Sequence, residues 1–211
     1  MADSPAKPGQ TQAVSIVPSS IGAQMSVVSD WGSPSKLTAP SSQPPNIVYG
    51  AEWSPDGRFL AVGHATTPFV TIYERSGTTF TKLANPATLP AGSAANDCAF
   101  SCSGRFLAVA NNNTTAIAVY EREGPTFTKL GNLSPGPTGT PESIDWSPDD
   151  RFLSIGHQTS PYLTIYERED TTFTKLSNPG TLPFPVGYRT LWSPDSRFLA
   201  VGTSSSPYLY I

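Results

Sequence analysis

Four copies of one unit of 46–47 residues fill most of the chain, and this repeat constrains the fold more than any other feature. Each copy contains an aromatic residue, a short polar turn and then an apolar run. The aromatic anchors are Trp53, Phe100, Trp146 and Trp192. A fixed period of about 40–50 residues indicates a propeller, a solenoid or an array, because one such unit cannot bury its own hydrophobic face.

Each unit predicts four extended segments. In the first copy, a strand over 46–53 ends at a Ser-Pro-Asp-Gly turn, and a second, largely apolar strand covers 58–63. A polar loop leads to a third strand over 69–75, whose β-branched and aromatic residues favour a strand, and a fourth covers 79–83. Four antiparallel strands per repeat are typical of a β-propeller blade, and we expect the four aromatic anchors to pack between neighbouring blades.

The composition supports an all-β protein and excludes some function classes. Charged residues make up 14% of the 211 residues, while Pro (22) and Gly (17) are abundant, as expected for short strands joined by turns. A net charge of −3 gives no basic surface for nucleic acid or anionic lipid. No apolar run approaches the about 18 residues of a membrane span. We therefore expect neither a nucleic-acid nor a membrane partner.

The repeated motif carries a resemblance to a known family. The run Trp-Ser-Pro-Asp-Gly-Arg-Phe-Leu-Ala-Val at 53–62, followed by Val-Thr-Ile-Tyr at 70–73, resembles the WD-repeat and WD-like β-propellers. The Gly-His pair of regular WD repeats is absent, and Tyr-Glu-Arg stands where Trp-Asp would, so their buried hydrogen-bond tetrad does not carry over. The near-identical blades look most like propellers encoded by tailed bacteriophages, which implies a virion component.

The two ends of the chain leave three arrangements open. The last repeat stops at Ile211, in its third strand, while residues 31–37 occupy the register of an orphan fourth strand. Pairing of 31–37 with 207–211 would complete the last blade and close a four-bladed ring. Alternatively, the chain is a piece of a longer propeller, or the orphan strand completes a neighbouring subunit.

The side chains that resemble reactive groups have structural interpretations. Asp56, Asp149 and Asp195 each lie in a turn, where Asp bonds backbone amides. His64 and His157 share one loop position, but no acidic or thiol ligand accompanies them. We therefore predict no catalytic residue, no metal site and no cofactor.

The loops between second and third strands are the candidate recognition sites, because neutral hydrogen-bonding groups next to aromatic rings suit carbohydrate or protein surfaces. An ordinary hydrated loop has the same composition. The candidate residues are Thr66, Thr67, Phe69, Asn111, Asn112, Asn113, Tyr162 and Tyr208.

The N-terminal segment predicts a separate region. Residues 1–28 have the Pro-, Ser- and Ala-rich composition of a chain that orders only against a partner, whereas 29–211 form the propeller. We expect the segment to be an extended arm that docks on another protein subunit. Its apolar anchors are Val14, Ile16, Val17, Ile21, Met25, Val27 and Val28.

These observations favour a non-catalytic structural propeller, a decoration, tail or attachment part of a phage particle docked by its arm in an oligomeric assembly. One alternative is a lectin-like binder of a cell-surface glycan or protein, and another is a cytoplasmic scaffold. A propeller hydrolase or lactonase is a further class, disfavoured because the sequence shows no inward-facing acidic or histidine cluster. We expect a location in the virion, or alternatively in the cytoplasm.

Overall fold

The computed structural model describes residues 13–16, 25–28, 36–112 and 117–211, which belong to two compact units, Met1–Thr38 and Ala39–Ile211. In the first unit, strands β1 (Ala13–Ile16) and β2 (Met25–Val28) pair antiparallel. Both strands lie within the segment that the sequence predicts to be an extended arm. The docking of that segment on another subunit stays a prediction.

The second unit consists of four antiparallel sheets, one for each repeat, and each sheet follows the chain order of its strands. This confirms the all-β propeller fold of four-stranded blades. Blade 1 contains β3 (Val48–Trp53), β4 (Phe59–His64), β5 (Val70–Ser76) and β6 (Thr79–Lys82); blade 2 contains β7 (Ala95–Phe100), β8 (Phe106–Asn111), β9 (Ile117–Glu123) and β10 (Thr126–Lys129); blade 3 contains β11 (Pro141–Trp146), β12 (Phe152–His157), β13 (Leu163–Glu169) and β14 (Thr172–Lys175); blade 4 contains β15 (Gly187–Trp192), β16 (Leu199–Thr203) and β17 (Leu209–Tyr210). Within the described residues there is no helix long and apolar enough to cross a membrane.

The first strands of the four blades lie next to one another at the centre of the propeller, because β3 contacts β7, β7 contacts β11, and β11 contacts β15. Among the described strands, each of these inner strands pairs with a second strand on one side only, so its other edge has no strand partner there. The free edges therefore lie towards the propeller axis, where hydrogen-bonding groups must come from side chains or solvent.

The hydrophobic core lies between adjacent blades. All six residues of β8 are buried, since one face of this strand packs on blade 1 and the other on blade 3. Between blades 2 and 3, the ring of Phe106 stacks on Trp146 with centroids 5.8 Å apart, and Phe173 meets both rings edge-on. The core is therefore a series of interfaces between sheets, which a single blade cannot form.

A close approach of backbones requires glycine in the second strand of blade 3. A Cβ placed on Gly156 would lie 2.4 Å from the carbonyl oxygen of Gly187 in the inner strand of blade 4. No side chain fits at that distance. The Gly at this position therefore sets how closely the two blades approach each other.

The outer faces of the two end blades are exposed. The anchor Trp146 is 5% exposed, whereas its counterpart Trp53 in blade 1 is 43% exposed. Phe106 is fully buried, whereas its counterpart Phe198 in blade 4 is 53% exposed. The expectation that all four anchors pack between neighbouring blades is therefore wrong for Trp53, because no described residue forms a blade on that side.

The predicted completion of blade 4 by residues 31–37 stays a prediction. Residues 31–35 lie outside the described residues, and Lys36 and Leu37 have no regular secondary structure. In the described part of the chain, the sheet of blade 4 has three strands, and β17 pairs with β16 through Leu209 and Tyr210.

The tyrosine of each complete Tyr-Glu-Arg motif binds the linker that precedes its own blade. The buried side chains of Tyr73, Tyr120 and Tyr166 donate hydrogen bonds to the carbonyl oxygens of Ser42 (2.8 Å), Thr88 (3.0 Å) and Pro135 (2.7 Å). Tyrosine stands where regular WD repeats have the Trp-Asp pair, and its hydroxyl group reaches the linker backbone.

We expect Tyr120→Phe to lower the free energy of unfolding by about 1 kcal/mol, because it removes one hydrogen bond and leaves a carbonyl without its donor. Tyr166→Phe should have a similar effect. The control is Tyr188→Phe, since Tyr188 is 48% exposed. Urea unfolding followed by fluorescence measures all three, and an equal effect in the control would contradict the assigned role of the hydroxyl.

Candidate functional site

The predicted recognition residues are distributed over loops of successive blades. Thr66, Thr67 and Asn112 are exposed, Phe69 and Tyr162 are partly buried, and Tyr208 is 68% exposed. Asn111 is fully buried, so it is not available to a ligand on the surface, and Asn113 lies outside the described residues. The remaining loop residues stay candidate contacts for a glycan or a protein.

Five of the seven predicted arm anchors lie in described strands, and two lie outside the described residues. Val14 and Ile16 lie in β1, and Met25, Val27 and Val28 lie in β2. Val17 and Ile21 lie outside the described residues. Burial of these side chains against another subunit stays a prediction.

The two histidines are internal to their blades. His64 and His157 are fully buried, and the Nε2 atom of each lies 3.0 Å from a threonine hydroxyl, Thr71 and Thr164 respectively. Burial lowers the pKa of His157 to about 4, so its ring is neutral near pH 7. Their partners are within the same blade, which makes them structural residues.

The turn aspartates also have the structural role that the sequence predicts. The carboxylates of Asp56 and Asp149 each accept the backbone N–H two residues later, at 3.0 Å, and Asp195 does so at 3.2 Å. Each also bonds the serine hydroxyl that begins its turn.

A different set of acidic side chains lies on the inner strands. Glu52 in β3, Asp97 in β7 and Asp145 in β11 each accept a backbone N–H from the inner strand of the next blade. The donors are Phe100 (2.7 Å), Ile144 (3.3 Å) and Trp192 (2.9 Å). We call Glu52, Asp97 and Asp145 the inner carboxylates.

A bulge in each inner strand positions the residues at the centre. The pairing register shifts just before Asp97 in β7 and just before Arg189 in β15. A bulge turns the following side chain away from the regular pleat. The guanidinium of Arg189 lies 3.3 Å from the Asp97 carboxylate although blade 3 separates their sequences, and its side chain is 73% exposed.

Burial makes the inner carboxylates hold protons at unusually high pH. Burial raises the pKa of Glu52 from 4.5 to about 7, and repulsion from Asp145 and Asp97 adds to the effect. Burial likewise raises the pKa of Asp145 to about 6 and raises that of Asp97, which the charge of Arg189 partly offsets. A carboxyl with a pKa near 7 can both accept and donate a proton at neutral pH.

The expectation that the chain has no inward-facing acidic cluster is wrong, because the three inner carboxylates lie on the inner strands of successive blades. In the sequence these side chains are single acidic residues near an aromatic anchor. Glu52 and Asp145 stand one position before their anchors, and Asp97 stands three positions before its anchor. Their positions differ among blades, so the repeat pattern does not reveal them. The cluster becomes visible only when the inner strands are placed side by side.

The cluster is suited to acid–base chemistry beside a positive charge. No group of three or more histidine, cysteine or acidic side chains in the described residues has the geometry of a metal site. A separate cavity of about 390 Å³ at the outer rim is lined by Leu83–Thr88 and Pro125–Lys129. These residues include no acidic group, so the rim cavity is a weaker candidate than the inner strands.

The sequence of the second unit matches the model of a known protein family. Residues 70–186 match the family described as Lactonase, 7-bladed beta-propeller, and this match covers more than half of the chain. The chain belongs to this family. No curated protein matches the sequence of this Lactonase-family chain.

Solved structures with the same fold include two proteins provisionally described as 6-phosphogluconolactonases. The one from Bacteroides uniformis has a TM-score of 0.63 and 13% identity, with 78% of this chain and 52% of that chain covered. The one from Bacteroides fragilis has a TM-score of 0.59 and 14% identity, with 74% and 47% covered. Sqt1 of Saccharomyces cerevisiae has a TM-score of 0.60 and 12% identity, with 74% and 42% covered.

These similarities confirm the propeller fold, including the resemblance to WD-repeat propellers, and the chain spans about half the length of the solved structures it matches. They also correct the functional expectation. The prediction of a non-catalytic structural phage component is wrong, because the chain belongs to the Lactonase family.

We expect Glu52 to make the protein less stable as the pH rises from 4.5 to 7, while His157, whose pKa burial lowers from 6.5 to about 4, makes it more stable over the part of this interval below about pH 6.5. In that interval folded Glu52 keeps a proton that the unfolded chain releases, because its pKa is about 7 in the fold and 4.5 without it. Glu52→Gln keeps an acceptor oxygen for the Phe100 N–H and should remove the loss that Glu52 causes, so that the stability of the variant rises more with pH across this interval than that of the wild type. Urea unfolding at several pH values measures the effect.

Asp145→Asn provides a second check on the same cluster. It should remove a loss of stability that occurs mainly below pH 6, since the pKa of Asp145 is about 6. A pH dependence that is unchanged in both variants would contradict the protonation of the inner carboxylates.

Proposed function

We propose that this chain forms four blades of a lactonase, a hydrolase that opens a cyclic ester with water. The observation that carries the proposal is the inner carboxylate Glu52, with a pKa of about 7, on the innermost strand of a Lactonase-family propeller. Acid–base residues with pKa values near the working pH are the most effective in proton transfer. The positive charge of Arg189 in the same central region supports the assignment.

Hydrolysis of a lactone requires a base to activate water, a group that stabilises the oxyanion, and a proton for the leaving oxygen. Ionised Glu52 would take a proton from water as the water oxygen bonds to the lactone carbonyl carbon. The guanidinium of Arg189, which is 73% exposed, would receive the negative charge that develops on the carbonyl oxygen. When the ring C–O bond breaks, protonated Glu52 would return the proton to the leaving oxygen, which yields the open-chain hydroxy acid.

Sugar lactones are the substrate class that we propose. The two Bacteroides structures are described as 6-phosphogluconolactonases, and their likeness supports a hydroxylated six-membered lactone as the first substrate to test. The neutral polar loops with Thr66 and Thr67 would bind hydroxyl groups if they line the same opening.

We expect the purified chain to hydrolyse δ-gluconolactone or its 6-phosphate faster than the buffer does. Glu52→Gln should lower kcat by about 100-fold or more, because it removes the group that accepts the proton. The activity of the wild-type protein should rise with pH through about 7, as Glu52 ionises. Titration of the released acid at constant pH measures both effects.

The matched control is Glu142→Gln. Glu142 also lies on an inner strand, but its carboxylate bonds the side chain of Gln158 instead of a neighbouring blade. The control should keep wild-type activity. Hydrolysis no faster than in buffer, or equal losses in Glu52→Gln and Glu142→Gln, would overturn the proposal.

The location and partners of the protein stay predictions. They are a virion or cytoplasmic location, association with other protein subunits and a cell-surface glycan or protein ligand.

A further inference from the structure

The cavity at the outer rim lies between the linker that follows blade 1 and the outermost strand of blade 2. Its volume is about 390 Å³, and it is lined by Leu83–Thr88 of the linker and by Pro125–Lys129. This volume is within the range of pockets that bind ligands. We call this cavity the rim groove. Its two walls belong to blades that pack on each other within the chain.

One difference between the repeats accounts for the size of the rim groove. The cavity in the same place between blades 2 and 3 measures about 180 Å³ and is lined by Leu130–Ser134, Thr171 and Phe173. Leu133 is 5% exposed there and belongs to the hydrophobic core of that junction. Its counterpart in the preceding linker is Pro86, which is only partly buried. The rim groove is therefore larger because Pro86 does not fill the space that a leucine fills in the next repeat.

The outermost strand of blade 2 presents an unpaired edge to the rim groove. In the described part of the chain, β10 pairs only with β9. Directly after β10, the backbone N–H of Leu130 donates to the carbonyl oxygen of Val119 in β9, at 2.8 Å. Because successive backbone groups of a strand point in alternate directions, those of Phe127 and Lys129 point away from β9. Such an edge can bind an extended peptide through main-chain hydrogen bonds.

Two side chains of β10 give the rim groove an apolar part and a charged part. Phe127 faces blade 1, since its ring lies 5.8 Å from that of Phe59. Lys129 lies on the same face of the strand, because side chains alternate along a strand. Burial lowers the pKa of Lys129, and no carboxylate of the described residues forms a salt bridge with it. A partly buried ammonium group of this kind favours a ligand that carries a carboxylate.

We propose that the rim groove binds an extended peptide segment of a partner protein, which adds to β10 as a fifth strand of blade 2. The segment would run antiparallel to β10, as all neighbouring strands of this blade do. An acidic side chain of the segment would pair with Lys129, and an apolar side chain two residues later would pack over Phe127 and Pro86. The recognised pattern is therefore an acidic residue, any residue and an apolar residue. This inference does not depend on the proposed activity.

The open edge favours a peptide over a small carboxylate. A small carboxylate would pair with Lys129 but would leave the outward backbone groups of Phe127 and Lys129 without partners. An extended segment supplies alternating N–H and C=O groups for this edge and a carboxylate for the ammonium group. It also fills the apolar part of the groove between Phe127 and Pro86.

A titration followed by the amide NMR spectrum of isotopically labelled protein tests the site. The probe is the peptide acetyl-Thr-Glu-Thr-Val-Thr-amide, and the matched probe has Lys in place of Glu. We expect the first peptide to shift the amide signals of Phe127 and Lys129, and the second to bind at least about five-fold more weakly because the ion pair is lost. Equal binding of the two peptides, or no shift of these signals, would overturn the proposal. Binding of acetyl-Glu-amide as tight as that of the peptide would overturn the addition of a strand.

Two variants locate the binding. Pro86→Leu places the side chain of the next linker in the groove, so it should abolish the shifts while circular dichroism stays unchanged. Lys129→Glu should reverse the preference, so that the Lys-containing peptide binds more tightly. The control is Lys175→Glu, because Lys175 has the same position in blade 3 and does not line the groove. Unchanged binding in Pro86→Leu, or the same reversal in the control, would contradict the assignment of the groove.

Discussion

The hydrogen bond from an inner-strand side chain to the free edge of the next blade holds this propeller together at its centre. Among the described strands, the inner strands have no strand partner on the axial side. The backbone N–H groups on that side therefore need other acceptors. Glu52, Asp97, Ser143 and Asp145 supply them across the three junctions. Each acceptor fixes the position of one blade relative to the next, and the aromatic groups can pack farther out only when that spacing is set.

The same bonds connect stability with chemistry. A carboxylate that accepts one backbone N–H in a buried setting is stabilised by that bond and destabilised by loss of water. For Glu52 the loss of water is larger, so its pKa is about 7. Glu52, which joins two blades, thereby has a pKa close to neutral pH. The group that we propose as the acid–base residue therefore also joins two blades, which is why the stability and activity of Glu52 variants must be measured separately.

The sequence predicts the fold well because the fold depends on periodic features. The anchors Phe100 and Trp146, the apolar second strands and the turn aspartates recur at one spacing, and each lies where the pattern indicates. The inner carboxylates do not recur at one position: Glu52 and Asp145 share one register and Asp97 another. Their pKa values depend on burial between blades, which no local pattern encodes. Trp53 was mispredicted for a related reason, since a repeat pattern does not show which copy has a neighbour.

The equivalence of the junctions has a consequence for how such a protein changes over generations. Because every complete blade presents the surface that its predecessor accepts, a gene that gains or loses one whole repeat encodes a chain whose new junction already fits. Gly156 and the aromatic groups would be reproduced with each duplicated unit. Blade number can therefore vary by recombination between the similar repeats.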